Sequence, residues 1–223
     1  IVKLLSKNHK IFTCSRTTGN FKIDLTDIKQ VMNVISNVNP DVIIHCAAYT
    51  NVEAAEKNED LAYLINQKAT KNLIDIIPHK CHFIYISTDQ VYSKNTILHE
   101  EGTENPINVY GKSKWLGAQE AAKHYFSTIL HTNMFGPALN KGKNSFSDNI
   151  VYALVNNQKI SLYSDSLFSP LHLKNIAVYI NAIIEKEIYG TYNLGSRNGM
   201  SKEDFIISLA NHLQLSTVNT TSV

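Results

Sequence analysis

The sequence predicts an α/β fold, a doubly wound parallel sheet followed by a small C-terminal α/β lobe, on three observations. Short apolar runs of strand length alternate with longer stretches whose apolar residues recur at helical spacing. Two of the runs, 41–47 and 82–87, are almost continuously apolar, as in strands covered on both faces of a parallel sheet. Near Phe135-Gly136-Pro137 the alternation gives way to shorter, less regular elements. Residues 1–137 therefore read as the sheet domain, and 138–223 mainly as the second lobe, with some segments returning to the sheet.

In chain order, residues 1–6 close a helix and 10–15 form a short strand. A helix over 27–38 follows, with Ile28, Val31, Met32 and Ile35 on one face. After strand 41–47, residues 52–77 read as one long helix striped by Leu61, Leu64, Ile65, Leu73, Ile76 and Ile77, and Pro78 stops it. Strand 82–87, helix 109–125 and strand 128–132 complete a β–α series whose crossovers build a parallel sheet. Residues 138–144, rich in Asn, Lys and Gly, read as a loop. The lobe then holds helix 146–156, strand 160–162, helix 173–185, strand 191–194 and helix 201–213; Ser201 with Asp204 three residues on is a helix start signal.

Composition narrows the function. The 223 residues are 43% apolar with a net charge of only +2, and no basic run gives nucleic acid an electrostatic footing. No apolar stretch approaches the ~20 residues of a membrane span, and no signal peptide is expected. These features point to a cytoplasmic protein with no nucleic-acid and no membrane partner. Cys14, Cys46 and Cys81 each border a strand-like run and read as buried thiols in a reducing compartment.

The chemistry-bearing motif is Asn108-Val109-Tyr110-Gly111-Lys112-Ser113-Lys114. Tyr110 and Lys114 lie one helical turn apart on one face. An ammonium near a phenol favours the phenolate, so Tyr110 is expected to exchange its proton well below the ordinary value of ~10. Ser87-Thr88-Asp89 precedes the pair, directly after the apolar run Phe83-Ile84-Tyr85-Ile86. A hydroxyl at a strand end with a Tyr/Lys pair on a helix is an arrangement for moving protons in carbonyl and alcohol chemistry.

With these residues in place, the chain resembles the extended short-chain dehydrogenase/reductase family, and within it the dTDP-4-dehydrorhamnose reductase, or sugar-nucleotide-binding, branch. The resemblance runs over nearly the whole chain. It is carried by Asp24-Leu25-Thr26-Asp27, the run from Asp41 to Thr50, Asn66, Ser87-Thr88-Asp89 and Tyr110-Gly111-Lys112-Ser113-Lys114. It implies a Rossmann-like dinucleotide-binding domain over 1–137 and a substrate-binding lobe over 138–223. Tyr110 would protonate the alkoxide as hydride reaches the C4 ketone of a sugar. Lys114 would lower the Tyr110 pKa and hold the nicotinamide ribose. Thr88 would polarise the carbonyl oxygen. Asn66 would support the proton relay and the cofactor. Asp89 and Gln90, beside Thr88, and Asn133 would meet the substrate.

For the cofactor, the resemblance implies that the small side chains of Cys46, Ala47 and Ala48 admit a dinucleotide backbone, with Tyr49 beside them. Asp24 and Leu25 would contact the adenine. Arg16 stands where an acidic residue would bind a free ribose 2′-hydroxyl, and it suits a 2′-phosphate. The expected cofactor is NADPH, with NADH possible.

Departures from the family pattern are informative. No Gly-x-x-Gly-x-x-Gly turn occurs. The family places that turn, with the first strand, ahead of the position of Ile1, so the chain is expected to be a piece of a longer protein or to have lost an ordered start. His131 stands where the family has arginine, and Ala118 where it has glutamate. Asn133, Phe135, Gly136 and Pro137 resemble the family's Asn-x-Tyr-Gly-Pro turn, and Ser169-Pro170 after Asp165 and Phe168 resembles its Asp-x-x-Gly-Ser-Pro-Thr element. Lys141, Lys143 and Arg197 are candidates for the substrate diphosphate.

Three functions stay open at this point: a 4-keto sugar-nucleotide reductase, an epimerase on the same fold, and a non-catalytic subunit resembling the regulatory subunit of methionine adenosyltransferase. Dehydration is disfavoured, because Thr88-Asp89-Gln90 places a neutral amide where dehydratases of the family carry glutamate. The exposed side of helix 52–77 mixes Glu53, Glu56, Lys57, Glu59, Lys68 and Lys71, too polar for a large apolar seam. A monomer or weak homodimer is expected.

Overall fold

The computed structural model describes residues 1–93, 99–138 and 144–223. In chain order its elements are α1 (Val2–Leu5), β1 (Cys14–Ser15), β2 (Phe21–Lys22), α2 (Ile28–Val38), β3 (Val42–His45), α3 (Val52–Lys57), α4 (Glu59–Tyr63), a π turn (Leu64–Lys68), α5 (Ala69–Ile74), β4 (His82–Ile86), a 3₁₀ turn (Asp89–Val91), α6 (Val109–Ala122) and β5 (Ser127–Phe135). Then come α7 (Phe146–Val155), β6 (Ile160–Leu162), β7 (Leu167–Phe168), β8 (Pro170–His172), α8 (Leu173–Glu185), β9 (Gly190–Leu194), β10 (Met200–Ser201), α9 (Lys202–His212) and β11 (Thr220–Ser222). They fall into two compact units. One holds Ile1–Ser93, Glu100–His131 and Ala177–Leu194; the other is chiefly Thr132–Ile176 and Gly195–Val223.

The first unit is an α/β, Rossmann-like layer. Strands β3, β4 and β5 run parallel, Ile43 opposite Phe83 and Tyr85 opposite Ile129, and β9 pairs with β5. Every residue of β4 is buried, and its side chains alternate between two faces. Phe83 and Tyr85 join Val31 and Val34 of α2, Leu73 of α5 and Ala118 and Ala121 of α6 in one core. On the other face His82 meets the Tyr189 ring at 4.8 Å and bonds Thr128, whose hydroxyl donates to the Ile188 carbonyl.

Four details differ from the sequence reading, the exposure of two of the three thiols among them. The stretch 52–77 is not one helix. Asn58 leaves helical geometry, closes α3, and caps α4 by accepting the Leu61 amide, so a side-chain bond competes with helix continuation. Strand 10–15 shrinks to Cys14–Ser15, which pairs only with β2 among the described residues. Strand β3 is half-buried where double-sided cover was expected, because it ends the strand order and has a neighbour on one side only among the described residues. At the open end of this strand Cys46 is exposed, as is Cys14; Cys81 alone of the three thiols is buried.

The second unit has its own core of Ile150, Leu154, Leu162, Phe168, Phe205 and Ile206. Within it β8 pairs with the end of β5, β7 with β10, and β6 with β11. Its helices start on side-chain caps: Ser145 with Asp148, and Ser201 with Asp204, which carries the amide accepted by the serine hydroxyl at 2.9 Å. Among the described residues no helix is long and apolar enough to cross a membrane.

Candidate active site

Helix α6 carries the Tyr/Lys pair on its inner face. Tyr110, Ser113, Lys114, Gly117, Ala118 and Ala121 are all buried, at spacings of three and four residues. Its start is fixed twice. Asn108 accepts the Gly111 amide at 2.7 Å, and Glu56 of α3 accepts the Val109 amide at 2.8 Å. Two glycines let this face settle deeply. A Cβ at Gly111 would strike the Gln90 carbonyl, and one at Gly117 would strike the Asn66 carbonyl and the Tyr85 hydroxyl.

The hydroxyl arm comes from the end of β4. The Ser87 amide still bonds the Leu130 carbonyl, after which Thr88 turns the chain by accepting the Gln90 amide at 3.2 Å. Asp89 lies beside it, its Oδ1 3.2 Å from the Thr88 hydroxyl. Gln90 is tied to α6, its Oε1 accepting from Asn108 Nδ2 at 3.1 Å. Thr88 is near enough to Tyr110 to draw its phenol down. Thr88, Tyr110 and Lys114 are thus gathered at one strand end.

The protonation state departs from expectation. The Tyr110 phenol is not lowered but pushed up to about 12: burial outweighs the influence of the Thr88 hydroxyl, and the Asp89 charge adds to the rise. Lys114 does not offset this. Its Nζ donates to the Ile86 carbonyl at 2.8 Å and lies 4.1 Å from the Tyr85 ring centre, and burial depresses it to about 7. The pair is held as a neutral phenol beside an ammonium that loses its proton easily.

Behind the pair lies a buried polar network. Asn66, within the π turn, accepts the Tyr49 amide at 2.7 Å and donates to the Tyr49 carbonyl and to Ser113 Oγ at 2.9 Å. It clamps the segment after β3 to α6, and its amide is spent on protein partners. Thr70 donates to the Asn66 carbonyl at 2.8 Å, so the Thr70 oxygen can only accept from His45 Nε2, 3.1 Å away. His45 is therefore the Nε2–H tautomer, and burial holds it neutral down to about 3. Tyr49 packs with Val52 and Tyr63 against Ala55, Ala62, Val109 and Tyr110. Ala47 is exposed and Ala48 half-buried.

A second group lies by α2. Arg16 is exposed in the turn between β1 and β2, where Ser15 Oγ accepts the Thr17 and Thr18 amides. Asp24 accepts the amide and hydroxyl of Thr26 at 2.9 and 2.8 Å, and these bonds, with the Arg16 charge, hold its carboxyl below the usual range. Leu25 packs against the core. Asn133, in the second unit, stands opposite Pro170 on β5. Arg197 is exposed there; Lys141 and Lys143 lie outside the described residues.

The comparisons with known proteins agree on one lineage. The RmlD substrate binding domain profile matches residues 1–223. The chain belongs to the RmlD substrate binding domain family. It is 30% identical over 199 residues to the dTDP-4-dehydrorhamnose reductase of Aggregatibacter actinomycetemcomitans, covering 84% of this chain and 66% of the relative. It is 26% identical over 206 residues to methionine adenosyltransferase 2 subunit beta of Bos taurus, covering 87% and 61%. A crystal structure of the Bacillus anthracis dTDP-4-dehydrorhamnose reductase in complex with NADP superposes with a TM-score of 0.81 at 32% identity, over 90% of this chain and 72% of that one. The chain spans under two thirds of the length of the curated relatives it matches.

In this RmlD-family chain several site residues escaped the sequence reading. Ser113 was legible, since it shares the face of Tyr110 and Lys114 at helical spacing. Thr70, His45 and Tyr85 were not, because their bonds join elements distant in sequence. Asn72 was also missed; its Nδ2 donates to the carbonyls of Leu25 at 3.0 Å and Thr26 at 3.1 Å, tying the second group to α5.

Proposed function

We propose that the protein carrying this chain is an NADPH-dependent reductase of a 4-keto sugar nucleotide, acting in deoxysugar and polysaccharide biosynthesis. The observation that carries this reading is the convergence of Tyr110, Lys114 and Thr88 at the end of β4 in a member of a family that includes dTDP-4-dehydrorhamnose reductases. A nicotinamide dinucleotide suits the residues present. Strands β3 and β4 end side by side, so small Cys46, Ala47 and Ala48 and the Ser87 hydroxyl leave adjacent strand ends; that hydroxyl is buried and has no partner among the described residues. The first domain is assigned to the dinucleotide and the second lobe to the substrate.

The bound nicotinamide supplies the hydride. Tyr110 and Thr88 hold the carbonyl oxygen, and Tyr110, kept protonated by burial, gives it a proton. Lys114 holds the nicotinamide ribose and restores the Tyr110 proton, a transfer that its value of about 7 favours at neutral pH. Arg16 meets the 2′-phosphate and Asp24 and Leu25 the adenine side, while Cys46 to Tyr49 flank the dinucleotide and Asn66 positions that segment. Asp89, Gln90 and Asn133 bind the sugar nucleotide. We place the assembly as a monomer or weak homodimer, in the cytoplasm.

The similarity to methionine adenosyltransferase 2 subunit beta favours a second reading, a dinucleotide-binding subunit without turnover. NADPH oxidation followed with a panel of 4-keto sugar nucleotides separates the two. Turnover that Tyr110→Phe lowers ~10²–10⁴-fold with NADPH binding retained supports the reductase; binding without turnover on any member of the panel supports the subunit. No dehydratase product is expected from a dTDP- or GDP-hexose, because Gln90 cannot serve as a base.

A further inference from the structure

A cavity of about 330 Å³ lies in the first unit, with neither Tyr110 nor Lys114 among its walls. Glu101, Glu104, Trp115, Ala118, Gln119 and His131 are among its walls. Trp115 and Gln119 lie on a side of α6 away from Tyr110. The volume is at the low end of small-molecule sites.

The lining is rich in acceptors. His131 is 4% exposed and its Nε2 lies 3.1 Å from Glu104 Oε1. A carboxylate can only accept, so Nε2 carries the proton, and Nδ1 of the neutral ring is left as an acceptor. Burial favours this neutral ring against the pull of Glu104 and Glu101. That Nδ1 is buried and has no partner among the described residues. Glu104 is itself almost buried, at 11% side-chain exposure. Glu101 stands at the rim, accepting the Asn193 amide at 2.6 Å. Trp115 adds an aromatic wall, the best cation-binding face among side chains.

We infer that this cavity binds a small organic cation bearing a guanidinium group, seated against Trp115 with its N–H groups on Glu104 and Glu101. An anion is repelled by the two carboxylates. Among the described residues no group of three His, Cys, Asp or Glu is placed to hold a metal ion. A guanidinium, planar and with donors spread over its edge, reaches acceptors that do not converge on a point.

Trp115 is the only tryptophan in the chain, so its fluorescence reports on the cavity directly. The intact protein is titrated with agmatine, and with methylguanidine against methylurea, its neutral counterpart. Saturable change in Trp115 emission with agmatine and methylguanidine but not methylurea is expected, with affinity lowered at least tenfold in Glu104→Gln and reduced in Glu101→Gln. Circular dichroism checks that both variants keep their fold, and the rim position of Glu101 makes the second the safer one. No saturable change, equal response to methylurea, or affinities unchanged in folded variants overturns the inference.

Discussion

Arg16, Tyr110 and Lys114 make the predictions that belong to single residues. Arg16 is exposed and close enough to Asp24 to lower its pKa. Arg16→Ala is expected to cut the kcat/KM preference for NADPH over NADH about tenfold or more, the scale of one lost charge-assisted contact; an unchanged ratio assigns the phosphate elsewhere. Lys114 offers a test through stability. Its folded value of about 7 lies below its ordinary 10.5, so between those pH values the unfolded chain binds the extra proton. Stability therefore rises with pH across that window, and this group adds no slope below about 7. Denaturation midpoints of the wild type, compared with Lys114→Met from pH 6 to 10 (roughly the window set by linkage), should show the rise only in the wild type. Parallel curves would mean that the ammonium is solvated.

At the scale of elements, α6 depends on what it does not carry. Glycine in a helix interior ordinarily costs about 1 kcal/mol against alanine, so Gly117→Ala should stabilise a free helix. Here the added methyl meets the Asn66 carbonyl and the Tyr85 hydroxyl, and destabilisation of about 1–3 kcal/mol is expected in urea unfolding. Gly111→Ala meets the Gln90 carbonyl next to Thr88, so it should lower turnover more than stability by displacing Tyr110 from the hydroxyl arm. A stabilised Gly117→Ala would show that α6 sits farther from the π turn. The helix itself was legible in the sequence, but its two anchors, Asn108 and Glu56, were not. Glu56 reads as a surface charge in sequence, yet it accepts the Val109 amide from another helix.

For the whole molecule, the testable property is assembly. Leu61 and Ile65 are only half-buried, on helices whose outer side is otherwise charged. Light scattering at micromolar concentration is expected to give a monomer or a weak dimer. A stable dimer that Leu61→Asp or Ile65→Asp dissociates without unfolding would make these residues interface.

The sequence by itself determined the β–α alternation, the helix start at Ser201, and the placing of Tyr110 and Lys114 on one helical face. Each of these depends on contacts within a few residues, where spacing and side-chain chemistry are enough. Only the tertiary structure decided that helix 52–77 breaks at Asn58, that Asn66 spends its amide on Tyr49 and Ser113, and that the Tyr110 phenol rises instead of falling. Spacing had put an ammonium one turn from a phenol. Burial then depressed that ammonium, and the Ile86 carbonyl and the Tyr85 ring took its charge. Desolvation depends on everything packed around a group, and those neighbours come from strands and helices far apart in the chain.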